Sequence, residues 1–160
     1  MTTLRAATAK DVETLFEIQK AASLAAFGHI FPPDRCTFPD EDVQTRWRDA
    51  LESPEEEVLL AQAGGDPVGL AAFSPGWLGA LHVVPTAWGR GIGSRLHDAA
   101  IERRRTAGDE AMHLWVLEEN FHARGFYERR GWRPDGETRV TPFPPYPTAL
   151  RYALRIAARC

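Results

Sequence analysis

The sequence predicts a single mixed α/β domain over residues 1–160, with a sheet that is mostly antiparallel around one central parallel pair. Three observations predict it. Two apolar runs, 58–61 and 68–73, flank Gly64-Gly65-Asp66-Pro67 and read as strands folded back through a turn. A strand over 78–84 passes through a glycine-rich turn into an amphipathic helix and then into a second strand, 111–116, which requires a right-handed crossover between parallel neighbours. No internal repeat or linker divides the chain.

Each element follows from local signals. Residues 4–7 form a strand candidate, and Thr8 with Asp11 reads as a capping box. Val12, Leu15, Phe16, Gln19, Ala22, Ser23 and Ala26 then share one helical face, and Gly28 is a natural stop. Pro32-Pro33 keeps the next segment out of a helix. Asp40 or Asp42 caps a second helix through Val43, Trp47 and Leu51, with Trp47 read as core; it ends near Ser53-Pro54. After the glycine turn, Ile92, Leu96, Ala99 and Ala100 recur at helical spacing up to Gly108. A further helix runs over 120–130 and stops at Gly131. Residues 138–140 and 150–156 give two last strands around a loop holding Pro142, Pro144, Pro145 and Pro147.

Composition narrows the function. A net charge of −3 without a long single-sign run argues against a nucleic-acid-binding surface. Cys36 and Cys160 are too few for a disulfide framework or a zinc site and read as plain thiols, so no metal is expected. No apolar stretch approaches ~20 residues and no signal-peptide pattern opens the chain, so a soluble cytoplasmic protein without a membrane partner is expected.

The turn Trp88-Gly89-Arg90-Gly91-Ile92-Gly93-Ser94 is an anion cradle: its glycines let consecutive N–H groups converge on a phosphate at the positive end of the following helix. It is not a P-loop, because Gly93-Ser94-Arg95 lacks the lysine. Nor does it fit a dinucleotide fold, since Asp109 and Glu110 precede the next strand where the acid should end it. A second constellation lies downstream, in the run from Asn120 to Trp132. Asn120, Ala123 or Arg124, and Tyr127 fall on one helical face and line one wall with an amide, a small residue and a phenol.

Together with Leu81-His82-Val83-Val84-Pro85, these motifs make the chain resemble the GCN5-related N-acetyltransferase (GNAT) superfamily over nearly its whole length. The resemblance implies a sheet of about seven strands with one splayed parallel pair and about four helices on both faces. It implies an N-acetyltransferase using acetyl-CoA as cosubstrate. The strand backbone at Leu81, His82 and Val83 would pair with the pantetheine arm, and Gly89, Arg90, Gly91, Ile92, Gly93 and Ser94 would hold the pyrophosphate. Asn120 would hydrogen-bond the pantetheine and Tyr127 would stand beside the coenzyme sulfur. Trp88 departs from the Gln or Arg that usually starts the turn.

Acetyl transfer to an amine needs a polarised thioester carbonyl, an unprotonated amine and a proton for the thiolate. The N–H of Val83 or a neighbour, freed by the splay, would polarise the carbonyl. Tyr127 would be the general acid, its ordinary pKa of ~10 lying near that of a thiol. The base stays open among His82, Glu118 and Glu119; strand alternation turns His82 away from the face of Leu81 and Val83. Trp77 and Trp115 stand where some relatives carry a glutamate, so that role does not transfer. Direct attack in a ternary complex follows, since neither cysteine neighbours a motif residue. The resemblance places the acceptor among Phe27, His29, Phe31, Trp77, Phe143 and Tyr146, an aromatic set suited to an apolar or cationic amine. A small amine or peptide amine is the expected acceptor. A protein N-terminal or lysine acetyltransferase and a non-catalytic acyl-CoA-binding module are the alternatives, and homodimers are common for such folds.

Overall fold

The computed structural model describes residues 1–157, so Cys160 lies outside the described residues. The chain runs β1 (Thr2–Ala6), α1 (Val12–Phe27), α2 (Asp40–Glu52), β2 (Glu57–Ala63), β3 (Asp66–Ser74), β4 (Trp77–Val83), α3 (Ile92–Thr106), β5 (Ala111–Leu117), α4 (Phe121–Glu128), β6 (Arg133–Val140) and β7 (Thr148–Arg155). Short 3-10 turns at Ala9–Asp11 and Pro85–Ala87 precede α1 and the glycine turn. The strands form one seven-stranded sheet in the order β1-β2-β3-β4-β5-β7-β6. Only β4 and β5 are parallel; every other pair is antiparallel. This is the predicted mixed α/β architecture.

The sheet carries a core on each face. On one, Ile92, Leu96, Met112, Leu114, Trp132 and Tyr152 pack beneath α3 and α4; on the other, Leu15, Phe16, Trp47, Leu60 and Leu70 pack beneath α1 and α2. Burying each such side chain contributes ~1.5–3 kcal/mol, which fixes the two layers against the sheet. Polar atoms inside are paired. The Trp47 indole donates to Gln19 Oε1 at 2.8 Å, and the Trp132 indole donates to His97 Nε2 at 2.9 Å. Burial holds His97 below its ordinary pKa, which keeps that nitrogen an acceptor.

Three details differ from expectation. Pro39 occupies the cap position of α2, and Asp40, Glu41 and Asp42 fill its first turn, where negative charge suits the helix dipole. Asn120 caps α4 from outside the helix and does not begin it. β6 starts five residues earlier than the alternation at 138–140 suggested, because Pro134 and Gly136 sit in a register shift between Pro134 and Thr138. Gly136 takes a φ of 96°, so residues that read as turn punctuation belong to a bulged edge strand. No helix among the described residues is long and apolar enough to cross a membrane.

Candidate functional site

The site begins where β4 and β5 part. They pair at one point, Trp77 opposite His113, with the His113 N–H on Gly76 O at 2.8 Å; beyond it the strands diverge into a V. Across β4, the register against β3 shifts so that Ala72 faces Ala80 while Phe73 faces Leu78, which leaves Gly79 as a bulge. The bulge resets the alternation: Leu78, Leu81 and Val83 pack with the α3/α4 core, and Ala80 packs with the α1/α2 core. His82 lies opposite Leu70, on the α1/α2 side. Because Val84 N–H donates to Val68 O, the ladder directs the backbone groups of His82 toward β3 and those of Leu81 and Val83 into the V.

The V opens into a cleft of about 480 Å³ bounded by the glycine turn on one side and α4 on the other. Gly89 and Gly91 both take φ of 78°, a left-handed conformation that other residues adopt only with strain, and Gly91 caps α3. The first helical bond is Arg95 N–H to Gly91 O at 3.1 Å, so the N–H groups of Ile92, Gly93 and Ser94 precede the intrahelical ladder. A Cβ on Gly93 would sit 3.4 Å from the Phe126 ring, in ordinary contact, so this third glycine faces α4 without a close approach that demands it. Arg130 donates to the Ser94 hydroxyl, and both Arg129 and Arg130 line the cleft. Their involvement went unread in the sequence, although Arg130 follows Tyr127 at helical spacing.

Along the α4 wall, Asn120 Oδ1 accepts from Ala123 N–H at 3.3 Å, which leaves the Asn120 amide N–H₂ as a donor. Ala123 lines the cleft; Arg124 turns away, its guanidinium donating to Tyr152 Oη at 2.9 Å and Glu118 O at 2.8 Å. The Tyr127 ring packs edge-on against Phe126 and Trp132, and burial pushes its phenol well above the ordinary tyrosine range. No buried side-chain polar atom among the described residues lacks a partner, and Tyr127 lines the cleft, so its hydroxyl is open to that space. Across the mouth, the Trp88 indole donates to Val83 O at 2.7 Å and stacks on His122 with ring centres 5.3 Å apart.

The other side of the V is formed by Ala22, Ala26 and Phe27 of α1 with Ala80, His82, Trp115 and Leu117. Burial and the charge of Arg46 push His82 down to about 4, so its ring is neutral at pH 7. Of the six residues expected around the acceptor, Phe27 lines the cleft and Phe31 packs edge-on against it at 6.4 Å. His29 Nε2 lies 2.8 Å from Glu119 O, tying the α1–α2 segment to the loop after β5. Trp77 sits against His113 at the closed end of the V, and Phe143 and Tyr146 are exposed outside the cleft. No cluster of His, Cys, Asp and Glu suited to a metal occurs among the described residues.

Known proteins share this fold. The model of the acetyltransferase (GNAT) family matches residues 20–132. A Mycobacterium tuberculosis protein named as an N-acetyltransferase, Rv2775, is 32% identical over 103 residues, covering 60% of this chain and 58% of its own length; the chain thus spans little more than half of that relative. A GCN5-related N-acetyltransferase from Rhodopseudomonas palustris superposes with a TM-score of 0.79 at 18% identity, over 97% of this chain and 96% of that one. The Salmonella typhimurium protein yncA, solved with its cofactor acetyl-CoA, superposes with a TM-score of 0.72 at 17% identity, over 100% of this chain and 96% of its own. With the family match spanning most of the cleft-forming elements, the chain belongs to the acetyltransferase (GNAT) family.

Proposed function

We propose that the chain is an acetyl-CoA-dependent N-acetyltransferase that acetylates a primary amine of a small molecule or peptide by direct attack in a ternary complex. One observation carries this reading: a single cleft combines the unladdered N–H groups that open α3, the backbone groups of Leu81 and the N–H of Val83 turned into the V, and a phenol open to the same space. The acetyl-CoA held by yncA supports the choice of cosubstrate.

The pyrophosphate would lie on the N–H groups of Ile92, Gly93 and Ser94, with Arg129 and Arg130 adding positive charge. The thioester would then reach the V, where the N–H of Val83 or Leu81 polarises its carbonyl. The amine nitrogen attacks the carbonyl carbon; the C–N bond forms, the C–S bond breaks and its electron pair leaves on sulfur. Tyr127 donates its proton to that thiolate and is reprotonated, through water, by the proton that the acylated nitrogen gives up. His82, near 4, is too weak a base to take an ammonium proton efficiently at neutral pH, and Glu118 and Glu119 do not line the cleft, so the amine loses its proton to water in that open space.

Thiol release from acetyl-CoA, followed across a library of primary amines, tests the activity, with calorimetry measuring coenzyme binding separately. Turnover of at least one amine class above background hydrolysis is expected. Tight coenzyme binding with no amine turned over would overturn the catalytic reading.

A further inference from the structure

We propose that Arg139, laid across the Trp115 ring, binds an anionic oxygen group on the acceptor, so that the preferred substrate is an amine bearing a carboxylate or a phosphate. The proposal rests on the acetyltransferase reading above and names its substrate class.

Alternation along β5 sends Met112, Leu114 and Val116 into the α3/α4 core and turns His113, Trp115 and Leu117 to the opposite face. The core beneath α1 and α2 takes residues from β2 and β3 but none from β5, β6 or β7, so this half of the face has no helix packed into it. Trp115 stands at the boundary. It lines the cleft, and the Arg139 guanidinium carbon lies 4.4 Å from its ring centre. Arg139 reaches it from β6, two strands away, just before the loop that leads to β7.

The neighbouring arginines are committed. Arg151, opposite Trp115 on β7, pairs with Asp135 at 2.6 Å. Arg133 donates to the carbonyls of Glu128 and Trp132, and Arg124 to Tyr152 and Glu118. The Arg139 guanidinium has no carboxylate within ion-pair distance and no side-chain hydrogen bond among the described residues; it lies against the indole. Partial burial against the ring lowers its pKa, and no acidic group counters that shift. A stacked guanidinium keeps its N–H edges free, and that planar fork matches the paired oxygens of a carboxylate or phosphate. An acceptor amine in the V, beside His82 and Trp115, would extend across the indole and place such a group on Arg139.

The test uses matched acceptors. α-Amino acids, ω-amino acids of increasing length and dipeptides are each compared with their carboxamides, and phosphoethanolamine with ethanolamine, by thiol release. The wild type is expected to favour the anionic member of at least one pair by ~10-fold or more, and the arm that shows it distinguishes carboxylate from phosphate. Arg139→Gln should lower kcat/KM for that member ~10- to 100-fold, through KM, and bring the ratio within the pair toward one. Arg139→Lys, which keeps the charge and loses the fork, should give an intermediate ratio. Equal turnover within every pair, or an Arg139→Gln loss shared equally by both members, would overturn the proposal. Failure of the wild type on every acceptor would overturn the substrate class, while calorimetric binding of acetyl-CoA judges the coenzyme reading independently.

Discussion

Tyr127 shows how one residue's environment sets its chemistry. Sequence reasoning placed its pKa beside that of a thiol, but burial between Phe126 and Trp132 raises it, so the phenol stays protonated through the whole working range. A raised pKa makes Tyr127 a reluctant acid toward a fully formed thiolate and a dependable hydrogen-bond donor to sulfur as its charge develops. Tyr127→Phe should therefore lower kcat by ~10²–10⁴ with little change in acetyl-CoA KM. The ring packing survives this substitution, so thermal denaturation should match the wild type within a few degrees; a kcat within twofold of wild type would remove the proton-donor role. Asn120 combines two tasks that a motif match alone does not separate. Its carbonyl caps α4 while its amide remains available to the cleft.

At the scale of elements, the link between β4 and the glycine turn is made by Trp88. The β4 carbonyl that faces the V at Val83 is already taken by the Trp88 indole, and the same ring stacks on His122 at the start of α4. A coenzyme amide seeking Val83 O must displace that N–H. Trp88→Phe keeps an aromatic ring for the stack and removes the donor, so acetyl-CoA KM should fall about fivefold, the worth of one net hydrogen bond. Initial-rate kinetics at saturating acceptor check this; an unchanged or higher KM would mean that the indole does not compete. Much of this element-level geometry was legible. Glycine spacing placed the left-handed turn that opens α3, and a strand, helix, strand order placed the parallel pair. The bulge at Gly79 was not, because a register shift of one residue depends on how β4 meets β3. Arg139 on Trp115 was hidden for a related reason: it joins strands that only the sheet order brings near.

Over the whole molecule, the sequence revealed which residues form the two cores more readily than what ties them together. Periodicity marks Leu15, Trp47 and Leu96 as buried, but a fastening between elements depends on side chains meeting across the fold. Asp11 is such a fastening. The Thr8–Asp11 box was read as a helix start, and Thr8 N–H does donate to Asp11 Oδ2 at 2.7 Å. The carboxylate also takes a two-pronged hydrogen bond from Arg5 at 2.8 and 2.9 Å, which joins the end of β1 to the start of α1. That guanidinium, with the Thr8 N–H, lowers the Asp11 pKa to about 2. A carboxylate whose pKa falls on folding stabilises the native state above its unfolded value of ~3.9 and loses that contribution as pH drops through the folded value. Arg5 is partly open to solvent, which screens the pair, so about 1–2 kcal/mol is the expected contribution at pH 7. Asp11→Asn should cost about that much in urea unfolding at pH 7, and the gap from wild type should narrow as pH falls from 4 toward 2. A gap that stays constant over that range would mean that Asp11 acts through shape and hydrogen bonding, with its charge contributing nothing to the junction of β1 and α1.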